Sequence, residues 1–162
     1  MTMQIPVTFR PATPADVPQI LTFIRLLAKY EKLSDEVTAT ETLLHEWLFE
    51  KNKAEVIFAE AENEVVGFAL FFYNFSTFLG RAGLYLEDLY IQESHRGKGY
   101  GKAVLQELAR LAVARGCGRL EWSCLDWNKP SIDFYLSLNA RPMADWTTYR
   151  LTGDALLNMA QG

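Results

Sequence analysis

Leu84-Tyr85-Leu86-Glu87-Asp88-Leu89-Tyr90-Ile91-Gln92-Glu93-Ser94-His95-Arg96-Gly97-Lys98-Gly99-Tyr100-Gly101 is the stretch on which the reading of this chain turns. Residues 84–91 are strongly β-prone, with an acid pair set among apolar neighbours. The second half is a turn with glycine at positions 97, 99 and 101. Beyond it the period becomes helical: Val104, Leu105, Leu108, Leu111 and Ala112 define one face, and Gly116 supplies a C-terminal stop. Strand, glycine-rich turn and helix in that order set free backbone amides at a helix start, where the helix dipole also favours an anion. Glycines let a ligand come close to the backbone, because no Cβ intervenes. Arg96, Lys98 and Lys102 concentrate positive charge there, in a chain with 16 basic and 20 acidic residues and a net charge of −4. A phosphate-bearing ligand explains that concentration. A plain strand–helix turn with solvated basic residues is the alternative that glycine spacing alone leaves open.

Working outward, residues 55–61 and 65–75 read as strands flanking Glu62-Asn63-Glu64, a hairpin signal. Ile5, Val7 and Phe9 alternate with polar neighbours, which predicts a first strand ending near Arg10. Thr13-Pro14-Ala15-Asp16 then opens a helix with a capping box and an early proline, and Ile20, Phe23, Ile24 and Leu27 follow at helical spacing to about Tyr30. A second helix fits residues 41–50, burying Leu43, Leu44, Trp47 and Leu48. Downstream, residues 120–125 read as a strand and 130–138 as a helix opened by Asn128-Lys129-Pro130, with a last strand at 147–151. This is an α/β chain whose sheet starts with hairpins and ends with helical crossovers.

Composition narrows the function. With 162 residues, 49% hydrophobic and 22% charged, the chain fits one globular domain over residues 1–162, and no linker divides it. The acidic balance argues against a nucleic-acid binder and for a cationic ligand. The longest apolar stretch, residues 65–73, is far short of the ~20 residues of a membrane span. The first residues lack the basic start and apolar run of a leader. Cys117 and Cys124 lie seven apart without metal-type pairing, and His45 and His95 are isolated from them. Reduced thiols, no metal site and a cytoplasmic location are therefore expected.

Two phosphate-binding patterns fail on detail. A dinucleotide fingerprint belongs in a first βα unit with Gly-x-Gly-x-x-Gly spacing, and a nucleotide-triphosphate loop needs Gly-Lys-Ser/Thr. A third pattern fits: Arg96-x-x-Gly99-x-Gly101 resembles the Arg/Gln-x-x-Gly-x-Gly/Ala pyrophosphate loop of the GNAT N-acetyltransferase superfamily. Residues 128–135, Asn128-Lys129-Pro130-Ser131-Ile132-Asp133-Phe134-Tyr135, resemble its second cofactor segment. Arg10-Pro11-Ala12-Thr13, Ala28-Lys29-Tyr30-Glu31, Leu84-Tyr85-Leu86-Glu87-Asp88 and Leu156-Leu157-x-Met159-Ala160 are similar to the spermidine/spermine and thialysine acetyltransferase branch. The chain departs from that branch at its short Glu62-Asn63-Glu64 hairpin, at Leu136, at Asn139 and in the spacing of Phe78 to Glu87.

The resemblance implies a mixed, mostly antiparallel α/β (α+β) sheet, flanked by helices on both faces and splayed at an acetyl-CoA cleft. It implies that Arg96, Gly97, Lys98, Gly99, Gly101 and Lys102 hold the pyrophosphate of acetyl-CoA. Main-chain groups of Leu89 and Ile91 would hold pantetheine, with Asn128 and Ser131 contributing from the second segment. Glu87, in an otherwise apolar strand, either faces solvent or a polar cleft; the resemblance makes it the base that accepts a proton from the amine, directly or through water. Asp88 is then a substrate-binding acid, though a bulge could re-aim either residue. Tyr135 is a core aromatic or, by resemblance, the acid that protonates the departing thiolate. Tyr30, Glu31 and Trp146 would line the amine pocket. The implied activity is acetyl transfer by direct attack of a primary amine of a small polyamine or diamine. The alternatives are a lysine-type amine such as thialysine and a CoA-binding module without turnover. A homodimer is implied as well.

Overall fold

Arg10 anchors the start of the fold. It lies on Thr8–Pro11 (β1) in the computed structural model, which describes residues 6–162, so Ile5 lies outside the described residues. Its guanidinium meets Asp16 at 2.8 and 3.1 Å, and Asp16 also accepts the Thr13 N–H at 2.7 Å. The Arg10 hydrogen bonds hold the Asp16 carboxyl down to about 2. The capping residues form a single 3-10 turn, Pro14–Asp16, and the α-helix proper is Val17–Tyr30 (α1).

α1 buries Ile20 and Phe23 completely. The Phe23 ring stacks on Phe68 at 5.4 Å and tilts against Tyr90 at 5.9 Å and Phe58 at 6.2 Å. Such ring pairs each add about 0.5–1.5 kcal/mol beyond the area they bury. Glu41–His45 (α2), capped by Thr40, runs into a wider π-helical turn at Glu46–Glu50. Its Lys51 N–H reaches back five residues to the Glu46 carbonyl. The inward stripe runs through Leu44 and Leu48, of which Leu48 is buried, whereas Leu43 and Trp47, expected inside, lie on the adjacent exposed stripe. The Lys51 ammonium covers the Trp47 ring at 4.1 Å.

Glu55–Ala61 (β2), Glu64–Ser76 (β3), Arg81–Ile91 (β4) and Leu120–Trp122 (β5) complete a sheet of order β1-β2-β3-β4-β5. The first four strands pair antiparallel, and β5 runs parallel to β4. The β2–β3 turn places both Glu62 (φ 53°) and Asn63 (φ 64°) in the left-handed region that a two-residue hairpin needs to match strand twist. Val56–Ala59 and Val66–Ala69 are buried at every position, so the central strands are covered on both faces. α1 supplies part of that cover, and Tyr100–Ala114 (α3) packs on β3, β4 and β5. α3 stops as expected, with Gly116 at φ 77°.

Two features of β4 shape the surface near its end. Leu70 faces Asp88 and Phe71 faces Leu86, which leaves Glu87 as the extra residue of a β-bulge. The parallel ladder to β5 ends at the Leu86–Trp122 pair. From Glu87 to Ile91 the strand has no further ladder on that edge among the described residues, which is the expected splay.

The chain divides into two units, Met1–Ser123 and Cys124–Gly162. The second contains Lys129–Ser137 (α4) and Gly153–Gln161 (α5). Asn128 caps α4 by accepting the Ser131 N–H at 3.4 Å, and Asn139 closes it at φ 66°. The strand expected at 147–151 is absent from the described ladders; the segment is irregular and exposed. Its β-prone residues lack the paired neighbour on which strand preference depends. α5 was not foreseen by its periodicity. Cys117 and Cys124 are free thiols, and no helix of the described residues is long and apolar enough to cross a membrane.

Candidate functional site

Residues 92–101 carry β4 into α3 through a 3-10 turn, Glu93–His95, and two left-handed glycines, Gly97 at φ 78° and Gly99 at φ 86°. Gly99 is the N-cap of α3 and offers no side chain, so the first-turn amides are not capped from within the loop. A Cβ at Gly97, Gly99 or Gly101 would meet nothing within 4 Å, so space above the loop is open. An uncapped helix start under open space fits the pyrophosphate of acetyl-CoA. The three glycines differ in kind. Gly101 has an ordinary helical backbone, so Gly101→Ala is expected to stabilise the fold by about 0.5–1 kcal/mol. Gly99→Ala is expected to cost about 1–2 kcal/mol, because an L side chain is strained at positive φ. Urea melts of the two variants check this, and equal shifts would refute the distinction.

The basic side chains of the loop have partners within the protein. The Arg96 guanidinium lies over the Tyr30 ring at 4.9 Å and the Tyr90 ring at 5.2 Å, while its Nε donates to the Ile91 carbonyl at 3.0 Å. Arg96 thus ties the end of β4 to the end of α1. Lys98 Nζ donates to both Glu62 oxygens at 3.1 Å. Neither contact is visible in sequence spacing. Lys102 lies in the first turn of α3.

Three carboxylates converge at the β4 bulge, a few residues before the loop. Glu31 is the C-cap residue of α1, Glu87 is the exposed residue of the bulge, and Asp88 is partly buried beside it. Burial, then the charges of Glu87 and Glu31, push the Asp88 carboxyl up to about 6. Burial and then Glu87 also raise Glu31 above the ordinary carboxylate range. The structure therefore brings together the acids expected to act on the amine. Like charges held this close favour a proton or a cationic group between them. Leu89 and Ile91 follow on the part of β4 whose β5-side edge is open.

In the second unit, Tyr135 is a half-buried residue of α4 beside Phe134, at 5.8 Å between rings. Ser131 is in the first turn of that helix, with Asn128 as its cap. Trp146 is exposed in a turn after Met143. Among the described residues no group of three or more His, Cys, Asp or Glu is placed to hold a metal ion.

The chain as a whole is similar to known proteins. A family model described as the acetyltransferase (GNAT) family matches residues 21–139. The chain is 36% identical to the thialysine N-epsilon-acetyltransferase of Sus scrofa, over 95% of this chain and 97% of that protein. It is 33% identical to the L-ornithine N5-acetyltransferase of Arabidopsis thaliana, over 91% and 85%. A solved integron cassette protein from the mobile metagenome of V. cholerae is similar over 99% of this chain and 100% of its own, with a TM-score of 0.79 and 28% identity. The glycine loop leading into α3, the splayed β4 and these likenesses agree: the chain belongs to the GNAT family and is an acetyl-transferring enzyme that acts on amines.

Proposed function

We propose that the enzyme acetylates the terminal primary amine of a small lysine-type amino acid such as thialysine, by direct attack and without a covalent acetyl-enzyme. The observation that carries this reading is the Glu31, Glu87 and Asp88 cluster at the bulge. An alkylamine of pKa about 10 arrives protonated at pH 7 and must lose a proton before it can attack. Glu87, exposed at the bulge, accepts that proton, while Asp88 and Glu31 hold the ammonium in register. Acetyl-CoA supplies an activated thioester. The amides of residues 97–102 receive its pyrophosphate, the open edge at Leu89 and Ile91 receives pantetheine, and Tyr135 supplies a proton to the leaving sulfur. The family resemblance assigns Asn128 and Ser131 to the cofactor, and Tyr30 and Trp146 to the amine.

An amino-acid substrate also needs a cation for its carboxylate. Arg96, stacked on Tyr30 beside Glu31, offers one from the side of α1. The thialysine and ornithine relatives support the same class. A linear polyamine is the second reading, because the carboxylate cluster also suits a substrate with several ammonium groups. Spermidine competing against thialysine at equal concentration decides between them. We expect thialysine to be acetylated faster, and a monoamine without a second charge that outperforms both would overturn the multi-acid reading.

We further infer a cytoplasmic homodimer built from one catalytic domain per chain. Phe78 (99% exposed) and Tyr149 (91%) support this, since a second copy would cover them. Light scattering tests it, and a monomer at assay concentration would refute it.

A further inference from the structure

Glu62 sits at the tip of the β2–β3 turn, more than thirty residues upstream of the glycine loop. Its carboxylate accepts from three loop residues. His95 Nδ1 approaches at 2.8 Å, Lys98 Nζ at 3.1 Å and the Tyr100 hydroxyl at 3.2 Å. These residues bracket Gly97 and Gly99, the two most permissive positions of the loop. The His95 ring is buried, and its Nε2 faces Glu64 Oε1 at 2.5 Å, so both ring nitrogens meet a carboxylate. The charged and titratable groups around it are Glu62, Glu64, Lys98 and Tyr100.

A second observation singles out Glu62. It adopts φ 53°, a conformation that costs a residue with a long side chain roughly 1 kcal/mol and that asparagine or glycine would tolerate better. The turn itself would be better served by another residue. What glutamate adds is reach and charge toward the loop. Charge-assisted hydrogen bonds from three directions offset the flexibility of two glycines.

We propose that Glu62 is a positioning residue of the transfer reaction: through His95, Lys98 and Tyr100 it holds the glycine loop in its anion-binding shape. This rests on the reading that the loop binds acetyl-CoA. A simple electrostatic view predicts the opposite sign, because a negative charge near the loop repels an anionic ligand. The two views therefore separate cleanly.

The test compares wild type with Glu62→Gln and Glu62→Asn, measuring CoA binding by calorimetry, steady-state kinetics and thermal melting. Asparagine suits the turn but cannot span the gap to the loop. We expect CoA affinity and the acetyl-CoA KM to worsen about tenfold for Glu62→Asn and less for Glu62→Gln, with kcat at saturating acetyl-CoA within about twofold. The melting temperature of Glu62→Asn should not fall in proportion. Tighter CoA binding in either variant, or a lowered melting temperature with unchanged affinity, would overturn the positioning role. If wild type itself binds no CoA, the acetyl-CoA reading fails first and this proposal falls with it.

Discussion

Tyr135→Phe is expected to lower turnover by about 10²–10⁴-fold while leaving acetyl-CoA affinity within a few-fold. The substitution removes one phenolic proton donor and almost no volume, so α4 should keep its packing. A thiolate leaving without a proton donor must take its proton from water, and that is the step expected to slow. Steady-state kinetics from pH 6 to 9, together with CoA calorimetry, read the two quantities separately. Wild-type turnover across that range would remove the tyrosine from the chemistry. A parallel loss of CoA affinity would instead make it a cofactor contact.

Asp88→Asn should raise the stability of the fold, and by an amount that depends on pH. In the folded chain the Asp88 carboxyl holds its proton up to about 6, against an ordinary value of 3.8. Below about pH 4 folded and unfolded chains both keep the proton, and the group adds no pH dependence. Between about pH 4 and 6 the folded chain binds more protons than the unfolded one, so stability falls as pH rises. Above that window the loss is complete and amounts to about 3 kcal/mol. A neutral asparagine of the same shape avoids it. Urea melts at pH 4 and pH 8 should show the advantage of the variant growing from near zero to about 3 kcal/mol. A difference that is constant with pH would mean that the charge is not the cause. A wild-type residue that destabilises its own fold in this way is what a binding site for a cation requires.

Local signals in the sequence were enough for most of the fold. The helical face of Val104, Leu105, Leu108 and Ala112 and the stop at Gly116 are set by residues only a few positions apart, and they formed as read. The Glu62-Asn63-Glu64 hairpin and the Asn128 cap are local in the same sense. The expectation for Leu43 and Trp47 failed because the buried stripe is the narrower one through Leu44 and Leu48, a choice that apolar spacing alone does not make. Residues 147–151 failed because strand preference does not provide a neighbour. α5 was missed although Leu156, Leu157, Met159 and Ala160 carry helical spacing. For the candidate site, acids in an apolar strand single out Glu87 and Asp88 for attention, but the sequence does not fix the bulge at Glu87 or the nearness of Glu31. The contacts of Arg96 with Tyr30 and of Glu62 with His95 join segments far apart in the chain, and only folding reveals them.

The sheet order, in which every neighbour in space is also the next strand in sequence, has a consequence for chain entropy. β3 and β4 are joined by residues 77–80 alone, whereas β1 reaches β2 only after residues 12–54 and β5 reaches β4 only after residues 92–119. A connection about ten times longer adds about 2 kcal/mol to the entropic cost of closing the pair. The central meander of β2, β3 and β4 therefore closes cheaply, and both outer strands carry the entropic burden of the sheet. β1 offers four residues and β5 three with which to meet it, too few ladder bonds for either strand alone. The helix in each connection offsets part of that burden by docking on the inner strands, Phe23 of α1 against Phe58, Phe68 and Tyr90, and α3 with its fully buried Leu108 against β3 and β4.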